Sequence, residues 1–551
     1  MKDVILKYAL KNAYDYGRAN AGAVAGKVIA EAPEAKKDMK KTMAEITSVI
    51  ADVNKMKKAD IEKALAKYTF AEKKEEEKGI TLEGAERGRV VTRFLPEPNG
   101  FLHLGHAKAA LLSYEAAKEY SGKCLLRFDD TNPEKEETEY VKAIQDDLKW
   151  LGLTFSDVRF TSDRMTELYE KAEQLIAQGD AYVCECPQEK IKADREAKRG
   201  CKCRERKDSA VVWKNMPKMK EGSAILRLKG CVDAENTVMR DPTLFRIMDA
   251  KHYRQGTKYR VWPTYDFEVS ISDSLDGVTH AFRSKEYELR DELYYYIVDK
   301  LKMRKPLIYD FSRLNIRGNV LSKRLIKPLI EEKKVTGWDD PRLLTLRGLK
   351  RRGVMPAAIR SFVLSFGLSK VESNPSIEAL LSENRKILEP TSEHYFFIGE
   401  PVKLKVKGLV KEVSLRKHPA QDLGERHVAV KEEVWIDGKD AAALKKGETF
   451  RLKDLCNAKI VAVGKTIDAE LAADEMVPKK IQWVSAIEVK PAELMVIGDL
   501  LVGDDYNKAG LTIRKGFCEK ACETLKEGDV VQFERIGYAR KDGAKRYVLS
   551  C

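Results

Sequence analysis

The first seventy residues place apolar positions at a helical period, as in Ala44-Glu45-Ile46-Thr47-Ser48-Val49-Ile50 and Ile61-Glu62-Lys63-Ala64-Leu65, with few prolines or glycines. This predicts a helical appendage over residues 1–70. A charged run, Lys73-Lys74-Glu75-Glu76-Glu77-Lys78, lies among glycines and reads as a linker over 71–88. From residue 90 the pattern changes. Residues 90–94 and 124–128 read as strands on either side of an Ala-rich helix that opens at residues 103–106 and runs to about Tyr120, a β-α-β unit that starts a nucleotide-binding sheet. A long insertion over 161–247 interrupts that sheet, which is expected to resume over 262–273. Residues 337–388 are helical and basic, with Leu349-Lys350-Arg351-Arg352-Gly353 as a turn. After Pro390 short alternating runs such as 402–406 and 427–430, spaced by Gly, Asp and Pro, predict strands, and two β-barrels are the expected result.

Composition places this pattern in a large globular chain. The 551 residues, 43% hydrophobic and 34% charged, are enough for several domains with their own cores. There is no run of about 18 apolar residues and no signal-peptide pattern at the N-terminus, so no membrane is expected and the cytoplasm is the default location. The formal charge of +14 suits a polyanionic partner such as RNA. Ten cysteines in such a chain argue against a disulfide framework. Four of them are grouped as Cys184-Glu185-Cys186 and Cys201-Lys202-Cys203, two C-x-C hairpins in polar sequence that match the demand of Zn²⁺ for four thiolates in a tetrahedron. The alternative is ordinary free cysteines. The other six, Cys124, Cys231, Cys456, Cys518, Cys522 and Cys551, read as structural.

Candidate chemistry sits in two distant stretches. His103-Leu104-Gly105-His106 falls on the first helical turn, where unpaired N–H groups and a positive dipole end suit phosphate. Gly105 removes a side chain so that a ligand can approach the backbone. With 7 histidines in 551 residues, chance supplies only about 0.1 H-x-x-H pairs. The second stretch, Phe311-Ser312-Arg313-Leu314-Asn315 followed by Val320-Leu321-Ser322-Lys323-Arg324, puts cations in a Gly-containing loop beyond an extended segment, where they could close over a triphosphate. A basic tripeptide among 101 Lys and Arg is by itself usually a solvated surface.

Together these stretches resemble the two signature motifs of the class I aminoacyl-tRNA synthetases, and within that class the glutamyl enzymes of archaeal and eukaryotic type, over roughly Arg89 to the C-terminus. Between them, in the family's order, run Arg127-Phe128-Asp129-Asp130-Thr131-Asn132-Pro133, Met239-Arg240-Asp241-Pro242, Tyr265-Asp266-Phe267 and Ile271-Ser272-Asp273. The resemblance implies a multidomain protein: an N-terminal helical extension and linker (1–86), a Rossmann-like α/β catalytic domain in two halves (87–160 and 251–330), an inserted acceptor-end-binding domain with the zinc knuckle (161–250), a helical connecting domain (331–388) and two anticodon-binding β-barrels (389–551).

It also implies site residues. His103, His106 and Lys323 are the expected catalytic groups, the histidines on the phosphates and Lys323 on the leaving pyrophosphate, with Mg²⁺ assisting. Glu97, Gly105, Arg313, Leu314, Leu321, Ser322, Lys323 and Arg324 are expected around ATP, Arg313 and Leu314 at the adenine. Arg93, Asp129 and Tyr265 are expected around the amino acid, Asp129 facing its α-ammonium. Arg283 stands where glutaminyl enzymes resemble one another in a small neutral residue; a guanidinium there would pair with a γ-carboxylate and match a γ-amide poorly. L-glutamate is therefore preferred, with tRNA(Glu) as acceptor and tRNA(Gln) as a second acceptor in some relatives. Resemblance further implies that tRNA is bound before activation. A monomer is expected, with a protein partner open for the N-terminal helices. The alternatives are a glutaminyl-tRNA synthetase, a tRNA-modifying glutamyl transferase paralogue and a catalytically silent RNA-binding scaffold.

Overall fold

The computed structural model describes residues 2–16, 19–32, 35, 38–56, 58–65, 67–68 and 79–551. The chain divides into two compact units, Met1–Gly79 and Ile80–Cys551. Among its described residues the first has four helices, Lys2–Tyr16, Ala21–Glu31, Met39–Val53 and Lys58–Leu65. Their periodic apolar faces, including Ile5, Val24, Val28, Ile46, Ile50 and Ile61, meet in one small core. Asn20 and Asp38 cap the second and third helices by accepting from the first-turn N–H groups. The charged linker at Lys73–Lys78 lies outside the described residues.

In the second unit, three parallel strands, Val91–Phe94, Lys123–Phe128 and Asp157–Phe160, lie side by side in chain order. The middle strand is buried on both faces from Cys124 to Phe128, as a parallel strand covered by helices must be. A second parallel pair, His280–Ser284 and Leu307–Phe311, abuts the first strand, with Thr279 N–H donating to the Val91 carbonyl at 2.8 Å. The sheet therefore resumes at His280 and not over 262–273. Val261–Pro263 instead completes a four-stranded antiparallel sheet with Ala181–Cys184, Ile225–Leu228 and Thr243–Ile247, so the inserted fold extends past the expected boundary at 250. Residues Tyr265–Leu275 form a helix.

The basic stretch 349–352, read as a turn, is the end of helix Leu346–Arg352. Only Gly353 leaves it, with φ of 85° as the left-handed C-terminal cap. Two seven-stranded sheets follow, in keeping with the two barrels expected. They are nested, not consecutive. His394–Tyr395 pairs parallel with Val530–Phe533 and Phe397–Gly399 pairs antiparallel with Leu511–Glu519, so the C-terminal sheet is begun before the chain enters the sheet built from 402–485. Among the described residues no helix is long and apolar enough to cross a membrane.

Candidate active site

Helix Leu104–Glu119 is closed at its start by its own histidines. His103 is the N-cap, in extended conformation. Its Nδ1 accepts from the Gly105 and His106 N–H groups at 3.1 and 3.4 Å, while His106 Nδ1 accepts from the His103 N–H at 3.3 Å. The result is a capping box made from two imidazoles, whose rings stack with centroids 3.7 Å apart. The expectation of unpaired N–H groups is corrected accordingly, since His103 takes two of them. Gly105 also has a different reason: a Cβ there would lie 3.0 Å from His103 Cε1, so the missing side chain makes room for the ring.

This cap fixes the tautomers. A neutral imidazole whose Nδ1 accepts carries its proton on Nε2. Burial, helped by His106 and Arg313, pushes His103 well below the usual imidazole value, and burial pushes His106 down to about 4. Near neutral pH both rings are thus uncharged Nε2–H donors.

Both histidines line a cavity of about 470 Å³, and the structure brings Arg93, Glu97, Gly105, Asp129, Tyr265, Arg283, Arg313, Leu314, Leu321, Ser322 and Lys323 to the same cavity. Ser322 and Lys323 do not lie deep in a loop: Ser322 is the N-cap and Lys323 the first residue of helix Lys323–Glu331. Lys323 passes against Gly100, where a Cβ would meet its Cδ at 3.0 Å, and its ammonium stands 4.9 Å over the Tyr140 ring. Burial lowers its pKa. Arg324 is exposed and is not part of the cavity wall. Arg313 donates to Glu286 at 2.8 Å and is half exposed, while Leu314 is buried in the apolar core beside the histidine helix.

Arg93 is more occupied than a free substrate ligand. Its Nε and Nη2 donate to the two Asp273 oxygens at 3.0 and 3.2 Å, and Nη1 to the Phe282 carbonyl at 2.8 Å. Asp273 also accepts from Arg127 at 2.7 Å and from the Tyr294 hydroxyl at 3.2 Å. Burial alone would raise Asp273, but Arg93 and Arg127 outweigh it and hold the carboxyl low. Asp129 accepts from Thr131 Oγ1 at 3.0 Å and is pushed up to about 6 by burial and by Glu97.

Arg283 occupies an aromatic cage. Its guanidinium carbon stands 5.8, 5.5 and 5.6 Å from the ring centroids of Tyr265, Tyr287 and Tyr294. Nη1 donates to Asp291 Oδ1 at 2.9 Å, whereas Nε is buried without a partner. A buried guanidinium N–H without an acceptor is costly until an anion arrives.

Sequence reading missed Tyr287, Tyr294 and Asp291, whose only signal was proximity to Arg283 along the chain. It also missed Lys108, a lysine on the buried face of the histidine helix. Its ammonium donates to the Ser312 carbonyl at 2.7 Å and hydroxyl at 3.1 Å, and burial pushes it down to about 8.

The four grouped cysteines do converge, with all sulfurs within 4.8 Å of one another. Cys184 and Cys201 are 3.6 Å apart, and Cys186 and Cys203 are 3.8 Å apart. A tetrahedron with Zn–S of about 2.3 Å has sulfurs about 3.8 Å apart, so the set fits that ion. Arg227 and the Tyr182 hydroxyl lie against Cys201 at 3.8 and 3.7 Å and would offset thiolate charge.

Comparison with known families matches residues 89–390 to the tRNA synthetases class I (E and Q), catalytic domain. Residues 392–474 and 480–542 match two anti-codon binding domains of the same group. Among curated relatives, Glutamate--tRNA ligase of Nitrosopumilus maritimus is 44% identical, covering 100% of this chain and 99% of its own. Those of Cenarchaeum symbiosum and Pyrococcus abyssi are 41% and 39% identical, covering 99% and 98% of this chain and 98% and 97% of their own.

Proposed function

The chain belongs to the class I tRNA synthetases of the E and Q group, and on that premise we propose that it is a ligase that activates L-glutamate with ATP and transfers it to tRNA. The observation that carries glutamate over glutamine is Arg283: a caged, buried guanidinium with an unpartnered Nε, in the same cavity as His103, His106 and Lys323. A γ-carboxylate satisfies that donor; a γ-amide can turn its oxygen to it but not neutralise the charge.

The chemistry needs no nucleophilic side chain. The glutamate α-carboxylate attacks the ATP α-phosphorus, the bond from that phosphorus to the α,β-bridging oxygen breaks, and pyrophosphate leaves with the electron pair. The neutral Nε2–H groups of His103 and His106 donate to phosphate oxygens, and Lys323 meets the charge that grows on the leaving group. Mg²⁺ bound with ATP supplies further neutralisation. Asp129 faces the α-ammonium, and Tyr265 walls the pocket. In the second step a hydroxyl of the terminal tRNA adenosine attacks the glutamyl carbonyl, with AMP leaving; by the rule of the class this is the 2′-hydroxyl. Cys184, Cys186, Cys201 and Cys203 hold one structural Zn²⁺ in the inserted domain, which metal analysis tests: about one zinc per chain supports it, and a metal-free protein that still charges tRNA rejects it.

The deciding experiment is a charging assay with glutamate and with glutamine, each against tRNA(Glu) and tRNA(Gln). Esterification of glutamate supports the reading, and esterification of glutamine in its place rejects it. The tRNA(Gln) arm reports the acceptor range.

A further inference from the structure

The buried guanidiniums of the cavity meet carboxylates, Arg93 with Asp273 and Arg283 with Asp291, but the ammonium of Lys323 meets an aromatic ring. Among the described residues Lys323 makes no ion pair, and its Nζ stands 4.9 Å over the centroid of Tyr140. The stem gets there across Gly100, where a Cβ would lie 3.0 Å from its Cδ and 3.6 Å from Nζ. Tyr140 sits on the first turn of helix Thr138–Trp150, and Glu137, just before that helix, donates its N–H to the Pro98 carbonyl at 3.1 Å. Phe101 meets Tyr140 almost at a right angle, 89°, with centroids 5.4 Å apart, and Trp338 lies 5.5 Å from Phe101. The Trp338 segment is fastened as well: the Leu104 N–H donates to the Leu344 carbonyl and the Leu346 N–H to the Leu102 carbonyl, each at 2.9 Å. All three rings are therefore held to the loop that carries the histidines.

We propose that Tyr140 is a positioning residue for Lys323: the face of its ring holds the ammonium at the nucleotide side of the cavity, and Phe101 and Trp338 fix the ring. The face of an aromatic ring attracts a cation through its quadrupole but carries no net charge. A carboxylate in the same place would hold the lysine more tightly and cancel the charge that the leaving pyrophosphate needs. A free lysine stem, in contrast, would spread its ammonium over many rotamers, and that search would have to end before the reaction could use it. The ring takes the course between these two. Glu97 and Glu137 act on Lys323 only from beyond ion-pair distance, set against Lys327 and Lys135. Arg347 stands 4.4 Å over Phe101 and leaves Tyr140 to Lys323. This inference rests on the reading of Lys323 as the group that meets the leaving pyrophosphate.

The test is tRNA-dependent pyrophosphate exchange by variants of the full chain, with thermal stability measured alongside. Tyr140→Leu keeps apolar bulk without a ring face, so kcat is expected to fall roughly tenfold while KM for glutamate holds. Tyr140→Phe keeps the face and should stay within about twofold of the unaltered protein. Ring fluorines draw electron density from the face at nearly constant size. Tyr140→Phe carrying one, two and three of them should therefore lower kcat stepwise toward the Tyr140→Leu value, an order that a packing role would not produce. This series also serves if Tyr140→Leu melts early. A flat series, or a kcat in Tyr140→Leu equal to that in Tyr140→Phe, overturns the proposal. Lys323→Ala separates the two claims: full activity there defeats the Lys323 reading and the clasp with it, whereas lost activity beside a flat fluorine series defeats only the role of Tyr140. In the Lys323→Ala background Tyr140→Leu should cost nothing further, and an undiminished loss there would mean that the ring does not act through the lysine.

Discussion

Arg283 meets Asp291 and Arg93 meets Asp273, whereas in the same cavity His103 and His106 are neutral and Lys108 rests on uncharged Ser312 oxygens. The contrast follows the chemistry each group must serve. An amino acid arrives with its charges already formed, so fixed counter-charges held rigid by ion pairs can recognise it in the ground state. Charge on the phosphates redistributes during the reaction. Preorganised neutral donors and weakly neutralised cations respond to that change without first binding the ground state too tightly.

The contrast breaks most severely at His103. Its Nδ1 is committed to the helix cap, so only Nε2–H is left to donate into the cavity, and the two jobs can be separated. His103→Asn retains a strong N-cap oxygen but loses the reach of Nε2. A loss of about 10²- to 10³-fold in kcat/KM for ATP is expected, read by tRNA-dependent pyrophosphate exchange, with thermal stability within about 1 kcal/mol of the starting protein. Activity within about threefold would return His103 to a purely structural role.

That double use of His103 was not legible in the sequence. The motif could be seen because histidines are rare and the strand-turn-helix pattern around it is strongly periodic. The cap could not, because imidazole is not among the usual N-cap side chains and its use depends on ring orientation. The N-terminal helices and the parallel strands were legible from period alone. Residues 262–273 were misread because an apolar run such as Val261-Trp262-Pro263 suits a parallel strand and an antiparallel edge equally. The nesting of the two C-terminal sheets was invisible because His394 pairs with Gln532 across more than a hundred residues. Arg93 lines the cavity as expected, but its pairing with Asp273, on a helix 180 positions away, was invisible in the sequence.

The second break is at Arg283. Removing the guanidinium alone leaves Asp291 without its cation, and breaking a buried pair costs about 3–5 kcal/mol. Arg283→Gln is therefore best paired with Asp291→Asn, which removes both charges together. Glutamate discrimination over glutamine is expected to fall about 10²-fold, roughly 2.7 kcal/mol, in a competition charging assay. An unchanged ratio would mean that the charge-paired group does not read the substrate side chain, and the contrast between the two groups would lose its functional meaning.

The smallest effect is expected at Lys108, which tests whether a cation without a carboxylate partner serves the nucleotide. Its ammonium is buried and pins Ser312, the residue before Arg313 and Leu314, to the helix that carries both histidines. A buried charge that meets a carbonyl, a hydroxyl and the Phe311 and Phe366 rings but no carboxylate is costly, and the descent of its pKa to about 8 is that cost expressed as proton affinity. Because the folded value lies below the ordinary lysine value of 10.5, the charge disfavours folding at neutral pH, and this penalty is relieved as pH rises through 8. Lys108→Met keeps the apolar stem and removes both the penalty and two hydrogen bonds, so net stability should change by no more than about 1 kcal/mol. ATP loses a registered adenine segment and a nearby positive charge, and its KM should rise about tenfold with kcat less affected. In the unaltered protein the KM for ATP should climb above about pH 8 as the ammonium loses its proton, and the variant should show no such climb. A variant that melts much earlier with an unchanged KM for ATP would make Lys108 a packing residue, leaving the neutral histidines alone to represent the nucleotide side of the cavity.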